Sequence, residues 1–271
     1  MSAAVDPYAA ARPGGGVRFL PALNPIAKLT APLPAIALLL FARDLAVPLA
    51  FLLLGWVLLL VGAPLTARAA ALVFLVVPAA AFLLSLGFGL WVDGSRVDGS
   101  VVLLAVGDYR FTLGMWQVGA ATALRLAAIV VLSLTAGLTT TGPDVARALV
   151  QQLRVPYRIG YTALAAFRFV PRFAHELDVI RQAHRVRGMA GGRGPLAGPR
   201  RVLGYAVPLL AGGIRHAERV ALAMDSRAFG AHPTRTERHL VPFRARDVVY
   251  LVLFLAATAA ILLTVPTLEL P

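Results

Sequence analysis

Residues 70–91 read AALVFLVVPAAAFLLSLGFGLW, 22 residues without a single charged side chain. A helix that crosses the hydrocarbon core of a bilayer needs about 20 mostly apolar residues. This stretch meets that requirement alone, and the rest of the chain agrees with it. Of 271 residues, 59% are apolar and only 14% are charged, and the mean hydropathy is +0.77. Soluble domains run near half apolar and a quarter charged. A soluble globular enzyme is therefore excluded, and the long apolar runs exclude a disordered chain. There is no cysteine, which removes disulfide scaffolds, thiolate metal sites and cysteine nucleophiles.

Four further candidate spans lie around this one: Ile26 to Phe41, Leu45 to Gly62, Trp116 to Thr140, and Val248 to Val265. Arg43-Asp44 separates the first two. Pro32, Pro34 and Pro48 mark kinks or helix starts, which membrane helices tolerate when neighbours re-satisfy the backbone. The expected fold class is thus all-α, a polytopic membrane protein with about five transmembrane helices. The stretch after Trp91 carries Asp93, Arg96, Asp98, Asp108 and Arg110. Its apolar run from Val101 to Val106 is too short to span and reads as strand-like or re-entrant. The N-terminal segment, 1–22, with Pro13 and Gly14-Gly15-Gly16, reads as a flexible tail rather than a signal peptide.

Charge is distributed unevenly. The chain has 26 basic and 13 acidic residues, for a net charge of +13. Lys28 is the only lysine; the other 25 basic residues are Arg. Between the fourth and fifth spans, residues 142–247 hold 18 Arg and seven acids, which is +11 of that total. The positive-inside rule assigns such a segment to the cytoplasm. Arg12, Arg18 and Lys28, before or at the very start of the first span, and Arg68, between the second and third, agree. Four spans then put the N-terminus inside and the C-terminus outside.

The basic segment has helical periodicity. Ala166, Val170, Phe173, Leu177, Ile180, His184 and Arg187 recur at spacings of three and four, and Gly188 follows as a helix stop. Val202, Ala206, Leu209, Gly213, His216, Val220, Ala223 and Arg227 repeat the design, ended by Ala228-Phe229-Gly230. A shorter helix runs from Pro143 to Leu153, with Asp144 suited to its positive dipole end. Pro156 ends it. Two amphipathic helices therefore each finish on an Arg among small residues. A helix C-terminus favours a cation by about 0.3–1 kcal/mol, which accounts for any single Arg. Twin endings point further, because a planar five-donor guanidinium suits docking into a carboxylate or backbone groove. Pro171 and Pro208 either kink these helices or mark their starts.

These residues resemble a known family, the transmembrane T component of energy-coupling factor (ECF) transporters, within the wider ABC class. The resemblance covers nearly the whole chain. It begins at Leu23-Asn24-Pro25 with Lys28-Leu29 and passes through Thr139-Thr140-Thr141-Gly142-Pro143. It is most specific at Phe167-Arg168-Phe169-Val170-Pro171, leading to Arg185-Val186-Arg187-Gly188. The partner stretch is Val207-Pro208-Leu209-Leu210, Ala217-Glu218-Arg219 and Ala223 through Gly230. The resemblance implies that residues 23–141 form transmembrane helices 1–4. It makes 142–246 a cytoplasmic coupling domain, and 247–271 the last span and C-terminus. It also implies two Ala-Arg-Gly-like tips that dock into two ABC-type ATPase subunits. By position the docking residues are Arg187 and Gly188, then Ser226, Arg227 and Ala228. Val186 stands where the family usually has Ala, and Ser226 and Ala228 flank the second Arg. A small integral membrane substrate-binding (S) subunit is implied too, for a vitamin or a transition-metal ion, in a bacterial cell membrane.

The residues themselves agree that the engine lies elsewhere. No P-loop surrounds the only lysine, and neither His-Glu-x-x-His nor Gly-x-Ser-x-Gly occurs. His175, His184, His216, His232 and His239 lack metal-ligand spacing and read as surface or packing residues. No catalytic, cofactor or metal residue is expected on this chain; ATP and Mg belong to the implied ATPases. Arg125, about ten residues into the fourth span, is costly within a membrane. Either it makes an interior contact with the S subunit or the coupling helices, or the span starts later and it snorkels to a boundary. The apolar stripes pack on each other, seat the S subunit, or lie on anionic lipid. The last of these gives the alternative function, a membrane-anchored interaction protein without a transport role. Nucleic-acid binding is not expected despite a pI near 11.4, because the basic residues alternate with apolar stripes.

Overall fold

The computed structural model describes residues 18–94, 97, 101–106, 109–188, 197–237 and 239–265. The expectations for most of the N-terminal tail, including Gly14 to Gly16, and for Arg96, Asp98 and Asp108 lie outside the described residues. The chain divides into two compact units: residues 1–145 with 241–271, and residues 146–240.

The first unit begins with α1 (Pro25–Thr30) and α2 (Leu33–Leu39). Asn24 caps α1 by accepting from the Ile26 amide at 2.9 Å, and Pro25 takes the first helical position. Its missing N–H costs nothing there. Pro32 and Pro34 break what would otherwise be one helix, since a proline removes an i→i−4 bond. α3 (Ala46–Gly62) follows, with Pro48 in its first turn. α4 (Ala67–Ala71), a π-helical turn (Leu72–Val76) and α5 (Val77–Leu90) run on as one apolar helix of 24 residues. The π turn sits just before Pro78, where the normal bonding pattern cannot continue. β1 (Val102–Val106) and β2 (Tyr109–Thr112) form an antiparallel hairpin, with a register shift between Val102 and Leu104. The expected all-α class is amended by this hairpin, where the apolar run after Val101 is too short for a span. α6 (Leu113–Gly137) and α10 (Ala245–Thr264) complete the unit.

Among the described residues, three helices are long and apolar enough to cross a membrane: Ala67–Leu90, Leu113–Gly137 and Ala245–Thr264. The other two apolar stretches are shorter, at Pro25–Leu39 and Ala46–Gly62. At 1.5 Å per residue the latter reaches about 26 Å, against about 30 Å of hydrocarbon. Large apolar side chains point outward, among them Leu60, Leu75, Leu83 and Leu263. In water that surface would cost free energy; against lipid tails it does not.

The core is built around α6. Ala127, Ala128, Val131 and Leu132 are buried against Phe51 and Leu59 of α3 and Phe254 of α10. Small residues set the close approaches, as they do where lipid removes the hydrophobic drive between helices. A Cβ on Gly119 would lie 2.4 Å from the Ser85 carbonyl oxygen and 2.5 Å from the Gly89 nitrogen. α5 and α6 therefore meet backbone to backbone. Trp116 Nε1 donates to Ser85 Oγ at 3.2 Å beside this crossing.

In the second unit, α7 (Gly142–Gln152), which starts in the first unit, leads to α8 (Tyr157–Val186) and α9 (Ala197–Asp225). Pro171 and Pro208 lie inside α8 and α9 rather than at their starts. Helix α7 ends at Gln152, and Pro156 caps the next helix, α8. α8 and α9 run antiparallel. His184 meets Tyr205 edge-on at 5.1 Å, and Phe169 stacks on His216 at 4.5 Å. Gly213 sits where a Cβ would be 3.1 Å from the Phe173 ring.

Gly119→Ala is expected to force α5 and α6 apart at a cost of about 1–3 kcal/mol. Gly87→Ala, with nothing within 4 Å of its added carbon, should change stability by less than about 0.5 kcal/mol. Thermal unfolding in detergent compares the two.

Candidate functional site

The antiparallel pairing puts Arg187 and Arg227 at opposite ends of the α8–α9 hairpin. Thirty residues of α8 separate the first tip from the helix start, about 45 Å at 1.5 Å per residue. Arg187 is the C-cap of α8, its amide bonded to the Ala183 and Arg185 carbonyls. Gly188 then takes φ +70°, a left-handed conformation that stops the helix with no Cβ penalty. Arg187 and Gly188 are both exposed. The guanidinium therefore stands exposed at the negative end of the helix dipole, with no hydrogen-bond partner among the described residues.

The second tip differs from the expectation in one respect. α9 stops at Asp225, so Arg227 lies two residues beyond the helix, in a turn. Ser226 Oγ donates to the Ala223 carbonyl at 3.1 Å, and the Phe229 amide reaches back to the Met224 carbonyl at 3.0 Å. Ala228 takes φ +53°, a conformation that costs an L-residue about 1–2 kcal/mol. The surrounding contacts hold it there. Phe229 packs edge-on against Tyr157 at 5.7 Å, and Arg158 donates to the Gly230 carbonyl. Tyr157 OH donates to the His232 carbonyl at 2.6 Å, and Tyr161 OH to Glu237 Oε2 at 2.5 Å. The Arg235 guanidinium lies 4.4 Å above the Tyr161 ring. Burial and the Glu237 carboxylate push the Tyr161 hydroxyl above its usual pKa, so it stays a donor. The segment after Arg227 is thus stapled to the start of α8, while Ser226, Arg227 and Ala228 stay exposed.

The family model described as CbiQ, cobalt transport protein, matches residues 16–238. The chain belongs to the CbiQ family. Relatives agree. An energy-coupling factor transporter transmembrane protein EcfT from Streptococcus equi subsp. equi is 28% identical over 58% of this chain and 61% of its own. The EcfT protein of Thermotoga maritima is 32% identical over 52% of this chain and 54% of its own. A putative ABC transporter ATP-binding protein of Bifidobacterium longum is 26% identical over 59% of this chain but 22% of its own length. The chain thus spans little more than half the length of the EcfT proteins it matches.

Arg125 belongs to the first unit, and the two tips to the second. In this CbiQ-family chain α6 starts at Leu113, earlier than the drawn span, so Arg125 is mid-helix. The helix thus begins 12 residues before Arg125, three residues earlier than Trp116. Its Nη1 donates to the Leu40 carbonyl at 3.4 Å, at the end of α2. Its Nε is buried without a partner.

Two groups escaped the sequence reading. The aromatic and charged staple from Tyr157 to Glu237 joins positions about 75 residues apart, with no periodic signature. The second is a buried polar cluster at Asn24, Lys28, Thr139 and Asp247. Asn24-Pro25 and Lys28 carried the resemblance, but no role could be read from them.

His216 titrates below its ordinary 6.5, first through desolvation and then through the Arg172 and Arg219 charges. The depressed value means that its contribution to stability is present above pH 6.5 and is lost as pH falls below it. Removing both charges, Arg172→Gln with Arg219→Gln, should move its NMR titration midpoint upward.

Proposed function

We propose that the chain is the non-catalytic coupling subunit of an ECF-type importer. Two ABC ATPases dock on its arginine tips, and a separate small membrane subunit binds the substrate. The observation that carries this reading is the pair of exposed guanidiniums, Arg187 and Arg227, about one long helix apart on one pair of antiparallel helices. One helix end needs no partner, but two such ends on one arm fit two copies of a groove. Gly188 and Ala228 leave the backbone beside each guanidinium open to close approach. ATP-driven movement of the ATPases would shift the two tips, and α8 and α9 would carry that shift toward the spans. Similarity to proteins named EcfT, and to a stretch within a protein named as an ABC transporter ATP-binding protein, supports the same partnership.

In this reading the two shorter apolar helices join the three long ones as five spans in the bacterial cell membrane. The arginine-rich unit is cytoplasmic and the C-terminus lies outside, which the +11 charge of residues 142–247 favours. Selectivity for a vitamin or a transition-metal ion resides in the S subunit, and ATP and Mg bind the ATPases.

A desolvated charge contact that loses one partner costs about 2–5 kcal/mol. Arg187→Ala and Arg227→Ala should therefore each weaken ATPase association about 30-fold or more while leaving the chain folded. Co-purification from mild detergent, with transport in reconstituted vesicles, reads this directly. Normal association and transport in both variants would remove the docking role.

A further inference from the structure

Lys28 is the only lysine of the chain, and it is 1% exposed. Its Nζ donates to the Thr139 carbonyl at 2.8 Å, just beyond the C-terminus of α6. Burial opposes its charge, and the carboxylates of Asp144 and Asp247 partly offset that cost. Thr141 and Asp144 cap the start of α7: Thr141 Oγ1 donates to Asp144 Oδ2 at 2.7 Å and accepts from the Asp144 amide at 3.3 Å. Asp247 accepts from the Asn24 amide and the Arg244 amide, each at 2.7 Å. One buried cation thus lies among the ends of α1, α6, α7 and α10.

Packing does not explain a lysine here. An apolar side chain of similar volume would fill the space without the cost of desolvating an ammonium. The charge is explained by the helix ends. Residues 138–141 join α6 to α7, so a negative dipole end and a positive one lie within a few residues of each other. Lys28 answers the first and Asp144 the second. The junction so satisfied lies within the first unit, and α7 then leads on into the unit of residues 146–240.

We propose that Lys28 is a positioning residue that stiffens the α6–α7 junction, so that displacement of the arginine-tipped unit is transmitted to α1, α6 and α10 instead of being absorbed at a hinge. This rests on the coupling function proposed above. The chain carries no cysteine, so spin labels at Thr30→Cys and Leu153→Cys, both exposed positions, report the junction without background. In the full chain in nanodiscs, Lys28→Met should broaden the label–label distance distribution. In the assembled complex it should raise the ATP hydrolysed per substrate moved about tenfold, with the ATPases still co-purifying. Lys28→Arg, which keeps a cationic donor, should hold the wild-type distribution and stoichiometry.

A side chain that only stabilised the fold would lower the thermal midpoint and leave the ATP-to-substrate ratio unchanged; that outcome overturns the proposal. So does a wild-type distance distribution in Lys28→Met. Should Lys28→Met not accumulate, Lys28→Gln keeps a donor without the charge and is read in the same way. The label distances do not require ATPases, so failure of the coupling function and failure of the junction are seen separately.

Discussion

A lipid interior offers no water to a backbone amide or carbonyl, so every helix break within it must bring its own hydrogen-bonding partner. The first unit meets its helix breaks and helix ends in the same way, with side-chain partners. Where α2 ends, the Leu40 carbonyl accepts from Arg125 of α6. Where α3 begins, Asp44 is buried and accepts from the Val47 amide at 3.0 Å. Where α6 ends, Lys28 reaches the Thr139 carbonyl. Where α10 begins, Asp247 is fully buried and ties the Asn24 amide to the Arg244 amide. Each of these charged side chains serves a backbone end on a different element or at its own helix start. They thereby decide which breaks face which helices.

The helices between the breaks approach through small residues. Gly55 admits Val131, and Gly119 admits the backbone of α5 at Ser85 and Gly89. α6 is central because its inward positions are Gly and Ala over much of its length: Gly114, Gly119, Ala120, Ala121, Ala123, Ala127 and Ala128 are buried. Larger side chains on that face would push the neighbours outward and expose the polar ties to lipid.

The second unit answers a different problem. Its helices carry many arginines and must present some of them rather than bury them. Gly212 and Gly213 let α8 and α9 cross closely at Glu176 and Phe173. The Tyr157–Glu237 staple then fixes the chain after Arg227, where a turn of strained Ala228 would otherwise fray. The staple orders the backbone beside Arg227, which would lower the entropy cost of the docking proposed above.

Much of this was legible in the sequence, for physical reasons that can be named. Hydropathy over 20-residue windows located the three long spans within a few residues, because lipid demands apolar length. Three-and-four periodicity located α8 and α9, and Gly188 located the first helix stop. The same local rules missed the extent of α9, since Asp225 to Gly230 is terminated by backbone bonds in a turn that no periodicity announces. They also left Arg125, Pro171 and Pro208 with two readings each, because a span boundary and a kink look alike in one dimension. Only tertiary structure decided that α6 is the hub, that Lys28 and Asp247 gather helix ends across more than 200 residues of chain, and that Arg187 and Arg227 stand at opposite ends of one hairpin. Composition and period are properties of a segment and its solvent. Partner choice for a buried charge depends on which backbone ends the fold brings within about 3 Å, and that distance exists only once the helices are packed.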